Sequence, residues 1–137
     1  MKAANCYLTF DGNCGHAMEF YHKCFGGELF KMKFSEAPGG APPGAEDRLV
    51  HAALRTGPVL LMASDTMPGM PFHEGNNFSV AIACESNDEV DKYFGAISEK
   101  GKVHMPPQET FWAKRFAGCT DQFGVSWMFN HEKPMQM

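Results

Sequence analysis

Residues Gln108–Phe129 read QETFWAKRFAGCTDQFGVSWMF and carry both tryptophans of the chain, Trp112 and Trp127. The run Asp121-Gln122-Phe123-Gly124 predicts a tight turn, since Asp bonds its own backbone two residues on and Gly takes the left-handed position. Strands are expected on either side, over 110–119 and 125–130. In the second, Trp127 and Phe129 alternate with Met128, so one side packs into the core and the other looks outward. A basic pair, Lys114 and Arg115, stands between Trp112 and Phe116.

Upstream, the chain builds toward this stretch twice. Residues 5–10, NCYLTF, predict a strand, and Asp11-Gly12-Asn13 a turn with Asn13 as helix cap. Ala17, Phe20, Tyr21 and Cys24 recur at i, i+3, i+4, i+7, one apolar helix face. Gly26-Gly27 stops that helix. A strand follows from Glu28 to Phe34, then a Pro/Gly-rich loop over 35–47, and then a hairpin of strands 48–56 and 59–64 turned by Gly57-Pro58. Residues 65–76 connect to a second copy. A strand over 77–84 leads to a helix opened by the Ser86-Asn87-Asp88-Glu89 capping box, with Val90, Tyr93, Phe94 and Ile97 as its apolar face. Gly101 stops it, and Lys102–Met105 is a short strand ended by Pro106-Pro107. Gly27-Glu-Leu matches Gly101-Lys-Val. The expected fold is α+β: one domain over 1–137, made of two βαβββ modules at about 1–64 and 77–137, whose curved mixed sheets surround a cleft.

The composition narrows the function. A 137-residue chain with 44% hydrophobic residues is globular, and its net charge of −4 with no Lys/Arg run argues against a nucleic-acid partner. No apolar run approaches the ~20 residues of a membrane span, and MKAANCYLTFDG has no signal-like apolar region, so a cytoplasmic location is expected. The five cysteines form no Cys-x-x-Cys pair and are expected to be reduced. The six histidines show no metal-type spacing.

Three stretches resemble the vicinal oxygen chelate superfamily of glyoxalases, bleomycin-resistance proteins and extradiol dioxygenases: YLTFDGNCGHAMEFYHKCFGGEL at 7–29, LLMASD at 60–65, and FWAKRF with TDQFGVSW at 111–127. More narrowly they are similar to its PhnB-like branch, which carries the name 3-demethylubiquinone-9 3-methyltransferase. The glyoxalase-like fold is what the resemblance implies. Methyl transfer is not expected, because no glycine-rich loop between a strand and a helix is paired with a later acidic residue in the way that holds such cofactors. The superfamily's enzymes hold a divalent metal on His and Glu ligands. Laid on that pattern, the ligand positions fall at Cys6 (or Tyr7 if the register slips by one), Leu61, Ser79 and Met128, none of them His, Asp or Glu. The resemblance therefore implies no metal and no cofactor.

The expected function is small-molecule binding in the cleft. The expected ligand-binding residues are Trp112, Arg115, Met62, Asp65, Ser79, Met128 and Cys6, with no catalytic residue assigned. Arg115 either grips a small anion or ties the last hairpin by a salt bridge to Asp121 or Glu109. Asp65 lies at the cleft rim or caps the turn Thr66–Gly69. His51, His104 and Glu109 are the alternative set to examine for convergence. The competing functions are a small-substrate enzyme with a different metal site or none, and a structural partner without ligand. By analogy with the superfamily the protein is expected to be a homodimer.

Overall fold

The computed structural model describes residues 1–134. The last residues of the expected second module, 135–137, lie outside them. The chain divides into two compact units, Met1–His73 and Glu74 onward. In the first, β1 (Cys6–Phe10), α1 (Cys14–Phe25), β2 (Glu28–Lys33), β3 (Leu49–Thr56) and β4 (Val59–Asp65) form a four-stranded sheet ordered β1-β4-β3-β2. In the second, β5 (Val80–Ala83), α2 (Asn87–Ile97), β6 (Lys102–Gln108), β7 (Ala113–Thr120) and β8 (Ser126–Glu132) form a sheet ordered β5-β8-β7-β6. Both sheets are mixed: β1 runs parallel to β4 and β5 to β8, while the remaining pairs are antiparallel. The fold is α+β with two four-stranded sheets and two helices, as the repeat predicts.

Each sheet is packed against its own helix. In α1 the buried face is Cys14, Ala17, Met18 and Tyr21, set one turn earlier than the predicted face, with Phe20 and Cys24 at its half-buried margin. In α2, Val90 and Ile97 are fully buried. They meet the inward side of β8, where Trp127 and Phe129 are fully buried and their rings stack at 6.2 Å.

α1 ends at Gly26 as predicted, whereas α2 ends at Ile97 with Ser98 as its C-cap, before the expected stop at Gly101; Gly27 and Gly101 nonetheless hold matching places at the entry to β2 and β6. A Cβ on Gly27 would collide with the backbone carbonyl of Arg55 in β3, and one on Gly101 with that of Thr120 in β7. Glycine lets the chain leave each helix in contact with the third strand of its sheet.

Some local expectations change. Asn13 makes no side-chain cap to α1, whereas Ser86 Oγ accepts the Glu89 N–H at 3.1 Å as predicted. The 35–47 loop opens with a 3-10 turn at Phe34–Glu36. β5 is shorter than 77–84, and Ser79 lies just before it. β6 runs on through Pro106-Pro107 to Gln108, with register shifts around Met105. It can do so because it is the edge strand, where a proline forfeits no inner ladder bond. No described helix is long and apolar enough to cross a membrane.

Candidate functional site

Strand pairing sorts the side chains of each sheet into a helix-facing and a helix-free side. In the first unit, Tyr7 pairs with Met62, Met62 with Ala53, and Ala53 with Phe30, one row across all four strands. This row lies on the helix-free side, because the alternate residues Leu54, Leu61 and Ala63 are fully buried on the other. Tyr7 and Phe30 remain 48% and 51% exposed. His51, two residues before Ala53, stands beside the row. Its Nδ1 lies 3.1 Å from the Tyr7 hydroxyl, and its ring stacks on Tyr7 at 5.8 Å and meets Phe30 at 6.3 Å. Arg55, two residues after Ala53, projects from the same side and is exposed.

This geometry corrects the register of β1. Cys6 pairs with Leu61 and shares its helix-facing side. Burial pushes the Cys6 thiol above its ordinary range. The slipped alternative, Tyr7, is the residue on the helix-free face, beside Met62. The even-numbered apolar residues of β1, Leu8 and Phe10, were the available signal, since they mark Cys6 as inward.

Asp65 is neither at an open rim nor a cap on the 66–69 turn. It is 5% exposed. Its Oδ1 accepts the Gly12 and Cys14 N–H groups at 2.8 and 3.0 Å, and its Oδ2 accepts the Leu49 N–H at 2.9 Å. Asp65 thus caps α1 from the end of β4, in place of Asn13, and ties β3 to the same point. Nearby, Arg48 donates to Asp11 at 2.9 Å and Thr66 donates to Asp11 at 2.7 Å. The Thr66 hydroxyl and then the Arg48 guanidinium hold the Asp11 carboxyl below the usual range.

In the second unit the corresponding row is Ala81, Met128, Gly118 and Met105. It repeats the first in form, with methionine on the fourth strand and a small residue on the third. Beside it run Ala83, Asn130, Phe116 and Gln108. Trp112 meets the Phe116 ring edge-on at 5.4 Å and is itself covered edge-on by Phe111 at 4.8 Å. Asn130 Nδ2 donates to Glu132 Oε1 at 3.4 Å, while its Oδ1 is buried without a protein partner. The Ser79 hydroxyl, 2.7 Å from that of Ser126, sits at the start of this sheet.

Arg115 departs from both expectations. Its Nε donates to Asp91 Oδ1 of α2 at 2.6 Å, so it belongs to the helix-facing side. Glu109 instead pairs with Lys133 at 2.7 Å, and that contact lowers its pKa. Asp121, 4% exposed, accepts the Trp127 indole N–H at 2.8 Å and the Phe123 and Val125 N–H groups at 2.8 and 3.0 Å. Trp112 and Met128 are therefore on one side of the second sheet and Arg115 on the other.

The donors for a metal do not assemble. Among the described residues no group of three or more His, Cys, Asp or Glu side chains is placed to hold a metal ion. Of the alternative set, His51 is engaged with Tyr7 at 3.1 Å, His104 with Thr120 at 2.7 Å and Glu109 with Lys133 at 2.7 Å. Of the positions that the superfamily pattern picks out in the sequence, Cys6 and Leu61 lie on the helix-facing side of the first sheet, the slipped alternative Tyr7 and Met128 lie on the helix-free rows, and Ser79 stands just before β5; none is His, Asp or Glu. The residues present do not fit a His/Glu metal centre.

The 3-demethylubiquinone-9 3-methyltransferase family matches residues 2–129 of the chain. Protein YjdN of Escherichia coli is 36% identical over 136 residues, covering 90% of this chain and 91% of that protein. The structure of protein PA1353 from Pseudomonas aeruginosa superimposes with a TM-score of 0.89 at 38% identity, covering 98% of this chain and 100% of the other. The PhnB protein from Bacillus cereus gives 0.76 at 25% identity, covering 95% and 99%. Solved glyoxalase and bleomycin-resistance proteins at 12% and 19% identity share the fold alone.

Proposed function

The chain belongs to the 3-demethylubiquinone-9 3-methyltransferase family, the PhnB-like branch of the glyoxalase/bleomycin-resistance superfamily, and from that premise we propose that it binds a small molecule without the superfamily's metal. The observation that carries the reading is the composition of the two helix-free rows: Tyr7, Met62, Ala53 and Phe30 in the first sheet and Ala81, Met128, Gly118 and Met105 in the second, apolar and aromatic residues with no His, Asp or Glu among them. Partly exposed aromatic rings over small residues make a surface for an unsaturated or aromatic molecule.

Of the expected contact residues, Met62, Met128 and Trp112 keep that role in the proposal, joined by Tyr7, Phe30 and Phe116. Ser79 supplies a hydroxyl at the edge of the second sheet. Cys6, Asp65 and Arg115 are left out: Cys6 faces the helix side, and the other two are engaged in holding the fold. Methyl transfer is not part of the proposal, because each sheet is a short mixed one and not the doubly wound parallel sheet that cradles nucleotide-like cofactors. A homodimer in the cytoplasm completes the reading, and a monomer in sedimentation at micromolar protein would end the dimer part of it.

The test is a thermal-shift screen with two arms. Ni, Zn, Mn and Fe(II) salts are expected to leave Tm unchanged, and elemental analysis to find no stoichiometric metal. Members of an aromatic small-molecule library are expected to raise Tm by mass action. Stoichiometric metal in the purified protein, or a library with no binder, would overturn the proposal.

A further inference from the structure

We propose that the helix-free face of the first sheet takes a planar aromatic carboxylate, its ring over Ala53 and Met62 between Tyr7 and Phe30, and its carboxylate on Arg55. The inference rests on the small-molecule reading above and names the ligand class for one of its two faces.

Four observations point to this occupant. The middle of the row is low, because Ala53 is a single methyl group and Met62 an adaptable thioether, while the outer strands carry Tyr7 and Phe30. A strand separation of about 4.8 Å puts the α-carbons of these two residues roughly 14 Å apart, room for a ring system to lie on the floor between them. Arg55 follows Ala53 by two residues, about 6.8 Å along the same strand and on the same face, within reach of a group attached to that ring. Finally, Arg55 is exposed, and among the described residues no carboxylate lies within ion-pairing distance of it.

The face around the row contains few competing charges. Glu28 stands opposite Arg55 in register, without a salt bridge to it. Thr9, Ser64, His51 and Met32 lie on the other flank of the row. His51 is held through Nδ1 by the Tyr7 hydroxyl. When Tyr7 donates that proton, the imidazole proton sits on Nε2, a second donor for a ligand oxygen at the far end. A guanidinium holds a carboxylate bidentately, so the anion fixes orientation while stacking supplies most of the attraction.

The test is an NMR titration of the full chain with 2-naphthoate, its neutral amide 2-naphthamide, and acetate. We expect 2-naphthoate to shift the backbone signals of Phe30, Ala53 and Met62. Arg55→Gln should weaken it about five-fold and leave 2-naphthamide unchanged. Acetate should produce no shift at this row. Ala53→Leu, which fills the floor, should abolish the shifts by both aromatic probes while the protein keeps its dispersed spectrum. Equal binding of naphthoate and naphthamide in both wild type and Arg55→Gln would overturn the carboxylate assignment and leave small-molecule binding intact. Shifts confined to Gly118 and Met128 would overturn this site alone. The absence of any shift by either aromatic probe would overturn the inference, and the library screen then decides separately whether the broader reading survives.

Discussion

Arg115 and Phe116 are adjacent in the chain and opposite in space. Arg115 Nε donates to Asp91 Oδ1 at 2.6 Å on the α2 side of the sheet, while Phe116 receives Trp112 at 5.4 Å on the other. Sequence proximity of a cation to aromatics thus produces no shared site here, because consecutive residues in a strand point to opposite faces.

The Arg115–Asp91 pair is partly exposed on both sides, 33% and 46%. Such pairs contribute little, so Arg115→Met should change the free energy of urea unfolding by less than about 1 kcal/mol. A loss well beyond that would give the pair a larger structural role than its exposure allows.

Asp121 is a different case. Its carboxylate satisfies two backbone N–H groups of the β7–β8 turn and the buried Trp127 indole. Asp121→Ala leaves these donors without their partner, and the expected destabilisation is about 3 kcal/mol or more. Denaturation followed by tryptophan fluorescence measures it. Asp65→Ala should cost a similar amount, since Asp65 also accepts three backbone donors. A near-neutral effect at either position would refute the role assigned to that carboxylate.

Gly27 and Gly101 test the internal repeat. In each, an added Cβ meets the backbone of the third strand of its own sheet, which cannot yield as a flexible side chain would. Gly27 also adopts φ +90°, where other residues are strained. Gly27→Ala and Gly101→Ala are each expected to destabilise by about 2 kcal/mol. Gly95→Ala in α2 is the control: nothing lies within 4 Å of its added Cβ, and alanine favours the helix by about 1 kcal/mol. Equal Tm values for all three variants would contradict the close approach.

The buried thiols set an alkaline limit. Burial, then the charge of Asp65, pushes Cys14 from an ordinary 9.0 to about 12. Burial, then Asp121, pushes Cys119 up to about 11, and burial, then Glu89, does the same for Cys84. A folded-state pKa above the unfolded one favours the folded state fully below pH 9 and loses that contribution as pH rises toward 11–12. Unfolding free energy should therefore decline between pH 9 and 11, and less steeply in Cys14→Ala. A thiol reagent at pH 8 should reach these three cysteines only on unfolding. Rapid labelling of all three in the native protein would contradict their burial.

Features that depend on near neighbours were legible in the order of residues. The Gly26-Gly27 stop of α1, the Ser86 cap, the 121–124 turn and the alternation of Trp127, Met128 and Phe129 are all set within a few residues, so they could be read directly. Their recurrence in two halves, with the quoted motifs, was enough to specify the α+β fold. Long-range packing settled which face of β1 meets the helix, which partner Arg115 takes, that Asp65 caps a helix far from it in sequence, and that β6 continues through two prolines. Each of these is a question of which strand or helix lies next to a residue. The helix-free rows are of the same kind: Tyr7, Met62, Ala53 and Phe30 come from four separate strands, and hydrogen-bond register alone makes them one surface.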